Sequence, residues 1–384
     1  MTNESNKKIK ILHIIETLGY GGAERVLTYS LKNINRNKFS IKVVCLSGPL
    51  NFKKEIEDSG INVICLNAKN LYSFYRIIFR LCILIIKEKP DLVHTQLFFA
   101  NIYGRIASKI AGIKNIITTL QNPDYTYENN GKLTYAIRKL IDKYTGKFYN
   151  TAFIAVSDFV KKDFEKQLNF KDIKVLYNCI DNSVFNKHNN VDTKRIEFGF
   201  SNNDIIILNI GRLHPQKGQI CLIEAFNLIY KNNNRYKLLI VGNGPLENAL
   251  KNKAKELSLE NAVIFLKNRQ DVFDIMGISD IFVFPSIYEG LPLALVEAMA
   301  SGLPVIASKI DVLKEIVEDG VDGILVENSN YAKLAKAISD LIDNPELRGY
   351  LGKNAKEKAI KLFDSTVYAK KIENIYQELV YRNN

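Results

Sequence analysis

The stretch of this sequence with the clearest chemical content is "YEGLPLALVEAMASG", Tyr288 to Gly302, which sets Glu289 and Glu297 eight positions apart. Glu289 comes just before a Gly-Leu-Pro turn, and Glu297 lies two helical turns further on in an apolar, alanine-rich run. Carboxylates accept hydrogen bonds from vicinal hydroxyls. The backbone of Gly290, Leu291 and Pro292 would open a helix whose N-terminus attracts an anion. A carboxylate repels a phosphate, so each glutamate should flank the anion and not sit on it. That arrangement suits a sugar on one side and a ribose on the other. Read locally, the same residues also fit a solvated turn and a surface helix.

Three further turns carry groups of related character. "NIGRLHPQKGQ" (209–219) puts Arg212 and Lys217 on one loop, where two cations would neutralise a diphosphate. "VGNGPLENAL" (241–250) offers Gly242 and Gly244 ahead of Pro245, a combination with a phosphate or ribose flavour. "HIIETLGYGGAERVL" (13–27) places Gly19, Gly21 and Gly22 before a helix, so that backbone can approach a phosphate closely. The last does not complete a GxGxxG dinucleotide fingerprint, and no ribose-binding acid follows it. An NAD-dependent oxidoreductase is therefore disfavoured.

These turns need elements to hold them. Short β-branched runs alternate with stretches of helical period, the pattern of parallel α/β architecture. Strands are expected at 9–15, 40–46, 62–66, 91–96, 115–121, 153–157 and 174–178, then at 204–211, 236–242, 261–267, 280–286, 303–308 and 322–327. Two such series, separated by polar "DNSVFNKHNNVDTKR" (181–195), predict two doubly wound Rossmann-like domains facing across a cleft. The expected boundaries are 1–182 and 183–364, with a final helix at 365–382 crossing back so that 365–384 joins the first domain. In such sheets ligands bind beyond the carboxyl ends of the strands, where all four turns fall.

At 384 residues the chain is long enough for two cores. Its five cysteines are scattered without a CxxC pair, which argues against a disulfide framework or a zinc site and fits a reducing cytoplasm. Met1 leads into polar "TNESNKK", from which no signal peptide is expected. The most apolar run, "IIFRLCILII" (77–86), contains Arg80 and is too short to span a bilayer, so it reads as a buried amphipathic helix. The net charge of +12 is lopsided: residues 1–182 hold 28 Lys and Arg against 16 Asp and Glu, whereas the remainder holds 25 of each. A basic first domain is expected to meet something anionic, such as a phospholipid surface, a lipid phosphate or an acidic glycan. No motif supports nucleic acid.

Taken together, the four turns resemble retaining glycosyltransferases of the GT-B architecture, specifically glycosyltransferase family 4. The most specific shared element is the E-x7-E motif, Glu289 to Glu297. It is supported by "GGAE" (21–24), "GRLHPQKG" (211–218), "VGNGP" (241–245), "AVSDFVKKDF" (155–164) and "NCIDNSVF" (178–185). The resemblance implies that Arg212 and Lys217 bind the diphosphate of a sugar nucleotide, with UDP the commonest carrier. Glu297 would hold the ribose hydroxyls. Glu289, with the backbone of Gly290, Leu291 and Pro292, would contact donor sugar and phosphate. Gly22 would approach the diphosphate, and Gly242 with Lys267 and Asn268 would lie around the nucleoside. It further implies transfer with retention at the anomeric carbon and without a metal or other cofactor, in keeping with the absence of a D-x-D motif. A non-hydrolysing nucleotide-sugar epimerase shares the architecture, but the complete E-x7-E and G-R-x4-K elements speak against it. A degenerate homologue that only binds a sugar nucleotide stays open.

The sequence departs from the family's pattern in the first domain. A histidine common at the end of the fifth strand is replaced by Gln121, and only His94 remains of a frequent H-x-H pair. His94, Gln121 and Tyr125 are the candidates on the acceptor side, although His94, at a strand end, reads first as a structural residue and only second as a catalytic one. The segment 122–150 interleaves five tyrosines with five Lys and Arg residues, a composition suited to a membrane interface or a lipid-linked phosphate. The expected partners are a nucleotide-sugar donor, an anionic or polyprenyl-diphosphate-linked glycan acceptor, and the cytoplasmic face of a bacterial inner membrane.

Overall fold

The computed structural model describes residues 8–123, 133–149, 151–185, 191–230, 235–267 and 269–382. Tyr125 and Asn268 lie outside the described residues. The chain divides into two compact units, one comprising the chain up to Cys179 together with the segment from Ser365 onward, the other Ile180–Asp364.

The first unit is built on seven parallel strands: β1 (Ile9–Ile15), β2 (Phe39–Cys45), β3 (Asn62–Cys65), β4 (Leu92–Gln96), β5 (Ile116–Leu120), β6 (Thr151–Ala155) and β7 (Lys174–Val175). Their spatial order is β3-β2-β1-β4-β5-β6-β7. β1 and β4 run side by side, with His13 in register with His94, and the order reverses between them. β4 and β5 are buried at every position, as expected where both faces of a parallel sheet are covered by helices. The outermost strand is shorter than "KVLYN" suggests, because only Lys174 and Val175 pair with β6.

Right-handed crossovers fix which face each helix covers. The connections β1–β2 and β2–β3 advance toward one sheet edge; those from β3 onward advance toward the other. The helices Phe74–Glu88, Phe98–Ile110 and Leu133–Phe148 therefore share one face, where the middle helix packs against each of the other two. The helix Gly22–Asn33 lies on the opposite face and packs against the C-terminal helix, Ser365–Arg382. That last helix buries Tyr368, Ala369, Ile372, Tyr376 and Val380 in the first unit.

The second unit carries six parallel strands: β8 (Ile205–Ile210), β9 (Tyr236–Val241), β10 (Val263–Leu266), β11 (Ile281–Phe284), β12 (Val305–Ser308) and β13 (Ile324–Val326). The order is β10-β9-β8-β11-β12-β13, with the reversal between β8 and β11. Its core joins Ile207, Leu238, Ile240, Val283 and Ile306 from the strands to Leu222, Phe226, Leu334, Ile338 and Leu351 from the helices.

One expectation needs revision, and one residue left with two readings finds its place. The run 77–86 does form an amphipathic helix, and Ile77, Leu81, Cys82 and Ile85 are buried. Its outer side is also apolar, however, since Phe79, Ile83 and Ile86 are exposed. His94 is built into the core: its Nδ1 lies 2.7 Å from Tyr376 Oη and its Nε2 2.7 Å from Thr119 Oγ1. With both ring nitrogens engaged and 1% exposure, it has no atom left for an acceptor sugar. Its role is to tie β4 and β5 to the C-terminal helix.

Candidate active site

The site in the second unit forms where two neighbouring strands, β8 and β11, end beside the reversal in strand order. After β8 the chain turns through Gly211–His214 into the short turn Pro215–Lys217, which the His214 side chain caps by accepting from the Gln216 N–H. Gly218 closes that turn at φ +65°, and a Cβ there would lie 2.1 Å from the Pro285 carbonyl oxygen. The loop after β8 is thus pressed onto the loop after β11. Hydrogen bonds stitch the two: Ile287 N donates to Gln216 O at 2.7 Å, and Gln216 Nε2 donates to Tyr288 O at 2.8 Å.

That seam delivers Lys217 to Glu289. Lys217 Nζ donates to Glu289 Oε1 at 2.5 Å and stands 5.0 Å above the Phe284 ring. Both partners are largely buried, Glu289 to 5% exposure, so the pair is shielded from solvent screening. The ammonium keeps further donors beyond the one given to Glu289, which suits it to hold an anion next to a carboxylate. Arg212, in contrast, is exposed on the same loop, and its carbonyl accepts from Gln219 Nε2 at 3.1 Å.

Gly290, Leu291 and Pro292 are buried and lead into the helix Leu293–Ala300, whose N-cap is Pro292. Pro292 has no side-chain acceptor to offer, so the helix start keeps its positive dipole end uncapped by a side chain. Glu297 sits within this helix at 1% exposure. The surface-helix reading of Glu297 is therefore excluded.

The loop after β9 completes the arrangement. Gly242 has φ +150°, and a Cβ on it would lie 1.9 Å from Gly211 O; one on Gly244 would lie 2.2 Å from Leu213 O. Leu213 N donates to Asn243 O at 2.9 Å and Leu246 N to Leu213 O at 3.1 Å, locking the two loops together. Lys267, beyond the end of β10, pairs with Glu247 at 2.7 Å. The structure thus brings the Arg212–Lys217 loop, the Gly242 loop and the Glu289 turn into one contiguous set of strand ends.

In the first unit Gly22 opens the helix Gly22–Asn33 and is exposed, and Gln121 lies half-buried just past β5. Two acids there have no role assigned from sequence, although Glu24 closes the GGAE motif. Glu16 accepts from the backbone N–H of Phe99, capping the helix Phe98–Ile110. Glu24 accepts from Thr17 Oγ1 at 2.6 Å and fills the space a side chain on Gly21 would need. Burial pushes both carboxyls above the usual range, against the lowering effect of these hydrogen bonds. Gln216, Phe284 and Gly218 also went unnoticed. Gly218 alone had a signal, a glycine directly after the loop lysine. Among the described residues no group of three or more His, Cys, Asp or Glu side chains could hold a metal ion.

Comparison with known proteins identifies the family. Residues 20–184 match the family model described as Glycosyltransferase Family 4, and residues 190–358 match that described as Glycosyl transferases group 1. The chain is 30% identical over 98% of its length to the Escherichia coli UDP-Gal:alpha-D-GlcNAc-diphosphoundecaprenol alpha-1,3-galactosyltransferase, covering 98% of that protein. It is 26% identical to the Staphylococcus aureus capsular polysaccharide biosynthesis glycosyltransferase CapM, over 80% of this chain and 81% of that one. The structure of Anabaena HepE in complex with UDP-glucose superposes with a TM-score of 0.85 at 24% identity, covering 96% of this chain and 100% of that one. Fold and family matches together define a glycosyltransferase of GT-B architecture. The chain belongs to glycosyltransferase family 4.

Proposed function

We propose that this enzyme moves a hexose or N-acetylhexosamine from a UDP-sugar to a polyprenyl-diphosphate-linked glycan, with retention and without a metal, in the assembly of a bacterial surface glycan. The observation that carries this reading is the Lys217–Glu289 pair at the joined ends of β8 and β11, beside a helix N-terminus. In this reading the second unit holds the donor. Lys217 and Arg212 take the diphosphate, Glu297 the ribose, and Glu289 the sugar beside its phosphate; Gly242 brings backbone to the nucleoside. The first unit meets the acceptor. The name of the E. coli relative supports UDP as carrier and a lipid diphosphate as acceptor, and its full-length match makes the comparison apt.

The bond between the anomeric carbon and the β-phosphate oxygen breaks while the acceptor oxygen bonds to the same carbon on the same face. The acceptor proton passes to the departing phosphate oxygen, and UDP leaves. Cationic side chains and a helix N-terminus stabilise the charge that develops on UDP, which is where such a site has most leverage. No buried carboxylate nucleophile is required, unlike retaining hydrolysis.

The test is a transfer assay in EDTA with UDP-galactose, UDP-glucose and UDP-N-acetylglucosamine against an undecaprenyl-diphosphate N-acetylglucosamine acceptor. The expected result is one α-linked product by NMR, lost in Glu297→Ala together with the thermal shift given by UDP. Transfer only on addition of a divalent cation, or a β-linked product, would overturn the metal-free or the retaining part respectively. UDP binding with no transfer to any acceptor would favour a degenerate binder.

A further inference from the structure

We infer that Phe284 is a positioning residue for the transfer reaction: the face of its ring holds the Lys217 ammonium ready for the diphosphate of a nucleotide sugar. The inference rests on the donor-site reading above and gives a role to a side chain outside the charged motifs. Lys217 has three close neighbours. Its Nζ donates to Glu289 Oε1 at 2.5 Å and lies 5.0 Å from the centre of the Phe284 ring. Its stem runs beside Gly211, where an added Cβ would stand 3.5 Å from Lys217 Cδ and 3.6 Å from Cε. A cation over a ring face within about 6 Å of the centroid is attracted by the ring's quadrupole, and more strongly where water is excluded. Phe284 is 1% exposed, and the side chains of Lys217 and Glu289 are 16% and 7% exposed, so the enclosure is largely dry.

The ring is the fixed member of this pair. β11 is in register with β12 through Phe284 and Ala307, and the Phe284 ring stacks on that of Phe282, 6.1 Å away and 15° from parallel. On the β8 side, Asn209 Nδ2 donates to the Val283 carbonyl at 2.8 Å, which ties the strands together just beyond their last backbone pair, Leu208 with Phe282. A lysine stem, in contrast, is flexible and loses much rotamer freedom when held in one place. A rigid wall beside the ammonium leaves less to be fixed when a ligand arrives. The kind of wall matters too. A second carboxylate there would hold the ammonium but cancel its charge and repel a diphosphate. An aliphatic side chain would desolvate the ammonium and return nothing. The aromatic face attracts the cation and adds no net negative charge, so the ammonium stays available to an anion.

The test places mono-, di- and trifluorinated phenylalanine at position 284 of the full chain and measures UDP binding by calorimetry. Fluorine drains negative charge from the ring face with little change of shape, so a ring that only packs would not respond. The expected result is a stepwise loss of UDP affinity, reaching about fivefold with the trifluorinated ring. The same series at Phe282, which shares the stack but not the ammonium, should leave UDP affinity unchanged and report the packing cost alone. In Lys217→Ala the series at Phe284 should have no effect, because the ring has lost its partner. Two outcomes would overturn the inference while leaving the donor site standing, as long as Lys217→Ala itself weakens UDP binding. One is UDP affinity that stays flat across the Phe284 series; the other is a fluorine effect that survives in Lys217→Ala. Unaltered UDP binding in Lys217→Ala would sink the donor-site reading, and this inference with it.

Discussion

Lys217 and Glu289 are seventy-two positions apart in sequence, yet their ammonium and carboxylate meet at 2.5 Å. The contact exists because β8 and β11 are neighbours across the reversal in strand order, so the loops that leave them run together. A lysine so placed is poised between a carboxylate and any anion at the adjoining helix start.

The two members of this pair should therefore respond differently. Lys217→Ala removes a cation and leaves Glu289 buried without it; UDP affinity should fall by about tenfold or more, and turnover by about 10²–10³. Glu289→Gln removes a negative charge beside the proposed diphosphate site. It should leave UDP affinity equal or higher while lowering turnover by a similar factor. Calorimetric titration with UDP and steady-state rates separate the two effects. Unaltered UDP binding in Lys217→Ala would remove Lys217 from the diphosphate site.

Gly242 tests the packing of the loops rather than their charge. A methyl group on it would stand 1.9 Å from Gly211 O, so Gly242→Ala must force apart strands of chain that are hydrogen-bonded to one another. We expect a loss of about 1–3 kcal/mol in stability, typical of overpacking, and at least a tenfold loss in UDP affinity because the Arg212 loop shifts with it. Gly349, in the second turn of the helix Pro345–Phe363, is the control. A Cβ there meets nothing within 4 Å, so Gly349→Ala should add about 0.5–1 kcal/mol and leave UDP binding alone. Urea titration of both variants with and without UDP reads out each term.

The contrast between those glycines shows what can be read from sequence. Strand runs such as "IKILHII" and "DIFVFPS" announce themselves because a parallel strand buried on both faces must be apolar throughout. Family motifs located the loops after β8, β9 and β11. Which loops touch is a different matter. That Gly218 lies under Pro285, or that Gln216 reaches Tyr288 O, follows from strand order and is invisible in local pattern. Periodicity likewise reported the buried stripe of the helix Phe74–Glu88 but not its second, exposed apolar side. An apolar residue facing solvent and one facing the core are spelled the same way. His94 shows the same limit: a histidine at a strand end reads as structural in sequence, but its partners, Thr119 on the next strand and Tyr376, 282 positions later, appear only in the fold.

The histidine pair makes stability depend on acid in a definite direction. His13 and His94 stand with ring centroids 4.9 Å apart around Tyr376. Burial lowers the His13 pKa from 6.5 to about 3, and burial together with the neighbouring His13 lowers that of His94. Between about pH 6.5 and 3 the unfolded chain therefore binds a proton at His13 that the folded chain refuses, and His94 acts in the same direction. Stability is full above pH 6.5 and falls with pH below it, by up to about 1.4 kcal/mol per unit for each histidine. Glu16 and Glu24 act with the opposite sign. Their folded pKa values are raised, so below neutral the folded chain takes up their protons first and gains stability as the pH drops toward the ordinary carboxylate range. The net slope mixes the two contributions, so the measurement must isolate one. His13→Gln removes a titrating ring whose Nδ1 has no hydrogen-bond partner. Urea unfolding at pH 7 and pH 5 should show the wild type losing about 2 kcal/mol more over that interval than the variant. Equal losses in the two proteins would mean that His13 is protonated in the folded state.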